Sequence, residues 1–325
     1  MSRHVSDHCA IVVKSSVTDW GPKPFRTFDV WQHSEGFNDV VRKAWEAPTS
    51  RGNNMKGVKE KLKRVRIEVK QWNKEAVCNT KSRKQQLLAE IEDLDQHDDD
   101  ENLSEDMRVK RVEMLSQLRS LEEKEIAILK QKARVEWLKS GDTNSKFYHS
   151  ILRWRATKND IVGLRINGVW CEDVSCVKGQ VKGYFEGRFG ENLMNRANLD
   201  GVCFKSISTT DNDLLCDNIS KVEVLEAVSQ CGSLKYPEPD GFNFTFVKKY
   251  WEIIGKDVVE AILSIQSTDF ILRGCNALFI TLIPKKDNPS NLNEFRPISL
   301  VGCVYKILSK IMANRLKKVL PSLSI

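Results

Sequence analysis

Apolar residues recur along most of this chain at steps of three and four, and only a few short stretches depart from that rhythm. Val58, Leu62, Val65, Val69, Trp72 and Ala76 succeed one another at alternating steps of four and three, which is one stripe of a long amphipathic helix. Met107, Met114, Leu121, Ile128 and Val135 repeat every seven residues and predict a second. The polar run QHDDDENLS lies between them: its like charges disfavour helix, and Ser104 is a suitable N-cap for the second helix. The pattern therefore predicts two long helices folded back on each other as a short antiparallel coiled coil. One continuous exposed helix is the alternative.

The remaining pattern is shorter in period. Gly141 can end a helix in the left-handed conformation and Asp142 can cap the next, whose stripe is Phe147, Ile151 and Trp154. In IVGLRINGVWCED, Asn167-Gly168 between short apolar runs is a strong hairpin signal. Asp173 starts a helix that turns Val174, Val177, Val181 and Phe185 inward, and residues 190 to about 212 read as loop or linker. Ser220 and Glu223 form a capping box ahead of Val224, Leu225 and Val228. A helix over Phe244 to Ser267 carries Phe246, Tyr250, Ile254, Val258, Ile262 and Ile265, then a hairpin spans 279–300, and a last helix over Gly302 to Val319 buries Val304, Leu308, Ile311 and Val319. The fold class expected is mostly α with small β elements, an α+β chain.

Charge sharpens this picture. The 325 residues carry 51 Lys and Arg against 44 Asp and Glu, +7 overall, which is mild for a protein that grips phosphate backbones. The excess is local. From Lys56 to Lys84 eleven basic residues face Glu60, Glu68 and Glu75, whereas Glu90 to Asp106 holds ten acids and no Lys or Arg. Nine cysteines without a CxxC pair suggest neither a disulfide framework nor a zinc module, and a reducing compartment is expected. No apolar run has the length of a membrane span, and Cys9 to Val13 is too short for a signal peptide.

Three basic groups are candidates for chemistry. Lys285, Lys286 and Arg296 leave one hairpin, either as an ordinary solvated tip or as a grip on something polyanionic. Lys139, Lys146, Arg153 and Arg155 share a helical corner with aromatic residues, suited to phosphates and stacked bases or to a solvated face over a buried Trp. Lys306, Lys310, Arg315, Lys317 and Lys318 populate the last helix with no acid among them, so that face is expected on water or on phosphates. Ser6-Asp7-His8 alone is more often a loop than a site, and no metal-ligand pattern is evident.

The segments KYPEPDGF, LIPKKDNPSNLNEFRPISLVGCVYKILSKIMANRLKKVLP and WLKSGDTNSKFYH resemble successive landmarks of the reverse transcriptase polyprotein of plant non-LTR (LINE-type) retrotransposons. The resemblance implies a helical connector over 55–158, a β-hairpin, helix and linker over 159–212, and the N-terminal fingers part of a reverse transcriptase over 213–325. It implies that Lys285 and Arg296 reach a deoxynucleoside triphosphate, with Lys286 nearby, and that Pro237, Pro239, Asp240 and Gly241 form the turn before the fingers. VSDHCAIVV is similar to the end of the endonuclease of such elements, which makes residues 1–50 its remnant, with Asp7 and His8 as relics of its site and Phe25 to Trp45 as its last strand and exit helix. Glu238 stands where the family has glycine; a positive φ there would strain it. No acid occurs after Glu294, so the metal-binding aspartates of a palm are absent and Mg²⁺ is expected only for the full-length family enzyme. The expected product is a fragment that binds RNA or DNA without polymerase or nuclease activity, in nucleus or cytoplasm, with no membrane partner. An incomplete reading of an active reverse transcriptase and endonuclease, or a scaffold that self-associates through 55–140, are the alternatives.

Overall fold

The structure is a computed structural model that describes residues 19–49, 52, 54–98, 104–134, 145–190, 201, 206–233, 237–268, 271 and 275–323. It is mostly helical with two small antiparallel sheets. After a 3-10 turn at Asp29–His33 come α1 (Phe37–Glu46), α2 (Met55–Asp98), α3 (Glu105–Ala133) and α4 (Ser145–Asn159). Strands β1 (Leu164–Ile166) and β2 (Val169–Cys171) precede α5 (Val174–Phe189), α6 (Thr209–Cys216), α7 (Lys221–Gln230), α8 (Phe244–Lys249) and α9 (Trp251–Thr268). Strands β3 (Leu278–Pro284) and β4 (Phe295–Val301) then lead to α10 (Cys303–Leu323). The chain divides into two compact units, a smaller one from 1–23, 156–199 and 282–297 and a larger one from 24–155, 200–281 and 298–325.

The core of the larger unit explains why the first stripe of α2 is apolar. Val58, Leu62, Val65 and Val69 are buried against Phe37, Val41 and Trp45 of α1 and Ile254, Val258 and Ile262 of α9, and Ile307 and Ile311 of α10 complete the cluster. Burying each such side chain stabilises by roughly 1.5–3 kcal/mol. One carboxylate is carried into this core: Asp257 accepts from the Trp45 indole at 2.7 Å and from Lys61 at 2.6 Å, so its charge is paired and its oxygen hydrogen-bonded. Residues 25–45 are thus an integral part of this core. The strand expected after Phe25 is absent; Asp29–His33 turns tightly, and its Trp31 packs edge-on to Phe28 and Trp72.

The two predicted long helices are present and run antiparallel, with a small buried cluster toward their far ends. Leu87, Ile91 and Met114 are buried there with Leu94, Leu118 and Leu121 beside them, while Arg111 pairs with Asp95 at 2.6 Å and Lys84 with Glu122 and Glu125. At 44 residues α2 is about 66 Å long, so its first half serves the core and its second half serves the hairpin. Ser104 caps α3 as expected, and Arg134 ends it with φ of 49°. Val135, Gly141, Asp142, Lys139, Asp7, His8 and most of the QHDDDENLS turn lie outside the described residues.

The local turn signals hold. Asn167 and Gly168 take φ of 49° and 83°, and the strands pair with Ile166 opposite Val169. Asp173 caps α5, and Ser220 and Glu223 form the capping box of α7. In the smaller unit Leu164, Val177 and Phe295 form a compact cluster. The expected 244–267 helix breaks at Tyr250 into α8 and α9, and α6, capped by Ser208, starts within the end of the stretch expected as linker and runs past it.

The Pro-Asp-Gly turn is the tightest joint of the larger unit. Gly241 has φ of +97°, its carbonyl accepts from the Thr27 amide at 2.9 Å, and a Cβ there would meet the Phe25 ring at 2.5 Å. Glu238 does not carry the anticipated strain: among the described non-glycine residues only Arg134, Asn167 and Asn288 have positive φ. Gly241→Ala is expected to destabilise the protein by about 2–4 kcal/mol, through left-handed strain plus overpacking, read as a lowered midpoint in urea unfolding. A midpoint within error of the parent would contradict this role for the glycine.

Candidate nucleic-acid interface

In the smaller unit the hairpin tip is an ordered loop. Lys285 donates its amide to the Glu294 carbonyl and its ammonium to the Asn293 carbonyl, both at 2.8 Å. Lys286 pairs with Glu294 at 2.7 Å, and the other Glu294 oxygen accepts from the amides of Ser290 and Asn291. The Lys286 hydrogen bond, then these amides, lowers the Glu294 pKa to about 2. Asp287 pairs with Lys158, and the Ser290 carbonyl accepts from the Arg165 amide. Of the three predicted cations, Arg296 is exposed and forms no hydrogen bond or ion pair with a described residue. The residue the sequence reading missed is Glu294, which organises the tip. Its signal was present, since Asn291 and Glu294 have capping-box spacing.

In the larger unit the turn residues act on the start of α10. Asp240 accepts from the Cys303 amide at 2.9 Å, so a carboxylate caps that helix from 63 residues away in sequence, where the helix dipole favours a negative charge. Burial pushes the Asp240 pKa up, against the pull of the amides of Cys303 and Phe242. The Cys303 thiol is raised well above its usual value by burial and then by Asp240, and it donates toward that carboxylate at 3.5 Å. Pro237 and Pro239 frame Glu238, which is buried and paired with Lys306; the Lys306 ammonium also lies 5.5 Å from the centre of the Phe244 ring.

The basic residues of α10 therefore divide. Arg315, expected on the outer face, is 4% exposed, so that expectation is corrected. Its guanidinium donates to both oxygens of Glu223, at 2.8 and 3.0 Å, and to the carbonyls of Leu215, Asp217 and Asn218. Seven residues along from Leu308, it falls on the buried stripe, and it fastens α10 to the caps of α6 and α7. Lys317 and Lys318 are exposed and Lys310 is half-buried.

On α4, Lys146 and Arg153 are exposed, and Trp154 stands 61% exposed between Arg153 and Arg155. The alternative of a buried Trp does not apply. Arg155 donates to the Ala133 carbonyl at the end of α3. Partial desolvation, then the Arg155 charge, lowers the Arg134 pKa; partial desolvation, then Arg134, lowers that of Arg26, although both residues keep substantial exposed surface. Arg26, Arg134 and Arg155 thus form a like-charge cluster. Sequence spacing could not have found it, because it joins residues more than a hundred apart.

No family model matches the chain. It is 23% identical over 328 residues to the transposon TX1 uncharacterized 149 kDa protein of Xenopus laevis. The chain is weakly homologous to a transposon protein. The similarity covers 97% of this chain and 25% of that protein, so the chain spans about a quarter of the curated relative it matches.

The Arg315 pair has a pH signature. The Arg315 hydrogen bond is the largest cause that lowers the Glu223 pKa from 4.5 to about 2. A carboxylate whose folded pKa is depressed contributes stability above its unfolded pKa, and that stability is lost as pH falls through the folded value. Glu223→Gln is expected to cost about 1–3 kcal/mol at neutral pH and to flatten the loss of stability between about pH 4.5 and 2. Unfolding midpoints across that range check it; an unchanged acid limb would contradict the assignment.

Proposed function

We propose that this chain derives from a LINE-type retroelement polyprotein, corresponds to the connector and the fingers part of its reverse transcriptase, and binds single-stranded nucleic acid mainly through phosphates. The observation that carries the reading is the similarity to a transposon protein through 97% of the chain. The resemblance of the turn, hairpin and last helix to reverse transcriptase landmarks supports the finer assignment.

The geometry narrows which residues serve. Lys306 and Arg315 are taken by Glu238 and Glu223, and the folded hairpin tip engages Lys285 and Lys286. Arg296 is then the candidate for a triphosphate, because its planar guanidinium can take two phosphate oxygens at once. Lys146, Arg153, Lys317 and Lys318, with Lys310 less accessible, are the candidates for backbone phosphates, and Trp154 offers a ring to an unstacked base.

Labelled single-stranded RNA titrated with the full chain at rising salt tests this. The logarithm of affinity should fall linearly with the logarithm of salt concentration. Lys317→Ala with Lys318→Ala should weaken binding and lower the slope by about 1 for each phosphate that is no longer neutralised. A flat salt response, or no binding at low salt, would remove the proposal.

A further inference from the structure

A cavity of about 320 Å³ in the larger unit is assigned to no role by the sequence pattern or by the resemblance. Its lining includes a row of cations on α2, Lys59, Lys63 and Arg66, together with Phe279 at the base of β3 and Tyr305 in the first turn of α10. Lys59, Lys63 and Arg66 recur at helical spacing on one face and form a row about 10 Å long. The side chains of Lys63 and Arg66 form no hydrogen bond or ion pair with a described residue, and Lys63 is exposed. Phe279 is 63% exposed, an open ring for which the core has no use. The acid at the cavity, Asp240, is committed to the Cys303 amide, so Lys63 and Arg66 face no available counter-charge from the lining.

A cavity lined by both an open aromatic ring and a row of cations fits a planar, anionic ligand. We propose that this cavity takes one nucleotide unit of a single-stranded nucleic acid, its base stacked on Phe279 and its phosphates on Lys63 and Arg66 with Lys59 beside them. The inference rests on the nucleic-acid reading above and adds to it a base-binding pocket on residues outside the basic groups of α4 and α10. Stacking on one ring is sequence-tolerant, so the pocket holds a base without selecting it strongly. A free nucleotide offers the same chemistry and is the alternative source of the ligand.

Fluorescence anisotropy of the full chain distinguishes these. The probes are a labelled oligouridylate of about ten nucleotides, an abasic phosphodiester of the same length, and uridine monophosphate as competitor. Phe279→Ala should weaken oligouridylate binding about tenfold and leave the abasic strand unchanged, while Lys63→Ala with Arg66→Ala weakens both. In the parent protein, photocrosslinking of a 4-thiouridine strand should place an adduct on Phe279 or Tyr305. Competition by the monophosphate at concentrations near those of the strand would assign the pocket to free nucleotide and overturn the strand as ligand. Salt-dependent binding that neither variant changes, with no adduct at these rings, would overturn the pocket and leave the phosphate contacts standing. Failure of every probe to bind would overturn both.

Discussion

At Asp240-Gly241 the backbone must take a left-handed turn while a carboxylate is withdrawn from water, and the larger unit is arranged so that both are compensated. Asp240 gives its charge to the exposed amides of α10, and Gly241 gives its carbonyl to Thr27. Through these contacts the chain near residue 27, the turn near 240 and the helix from 303 are held at one point. The hydrophobic stripes of α1, α2, α9 and α10 then close around the same region. Asp257 under Trp45 and Lys61, and Arg315 over Glu223, repeat the device: a buried charge placed where several elements can hydrogen-bond to it.

What was legible in the sequence was local. The Asn167-Gly168 turn, the Ser220 and Glu223 box and the stripe of α2 are each stated by the local pattern and found; of the second stripe Met114 is buried, Met107 is exposed and Val135 lies outside the described residues. The stripe of α2 did not say what it packs on, since periodicity gives a face and no partner. Its neighbours are α1 and α9 over its first half and α3 over its second, where Arg83 bonds to Gln117. Arg315 reads as an outer cation because its acid lies 92 residues back, and the pairing of Glu238 with Lys306, 68 residues ahead, is equally hidden. Ion pairs of that kind leave no trace in spacing.

The same sorting bears on function. A net charge of +7 is small, but many cations are committed to carboxylates or carbonyls that hold the fold, and others stay at the surface on α2, α3, α4 and α10. Phosphate binding depends on the second set alone. Counting basic residues along the chain overstates the hairpin tip, where Glu294 and the loop carbonyls engage two of three, and understates α2, where a basic row borders a cavity with an aromatic wall.

Residues 25–45, the first half of α2, α9 and the start of α10 form one core, and a core of that kind must open as a unit. Native-state hydrogen exchange at increasing denaturant reads this directly, because amides that open together converge on one free energy. Residues 37–46, 58–72, 254–262 and 307–311 should converge on the global value, while 87–121 opens at lower cost because its buried cluster is small. Independent early exchange of 37–46, with α9 still protected, would contradict a shared core.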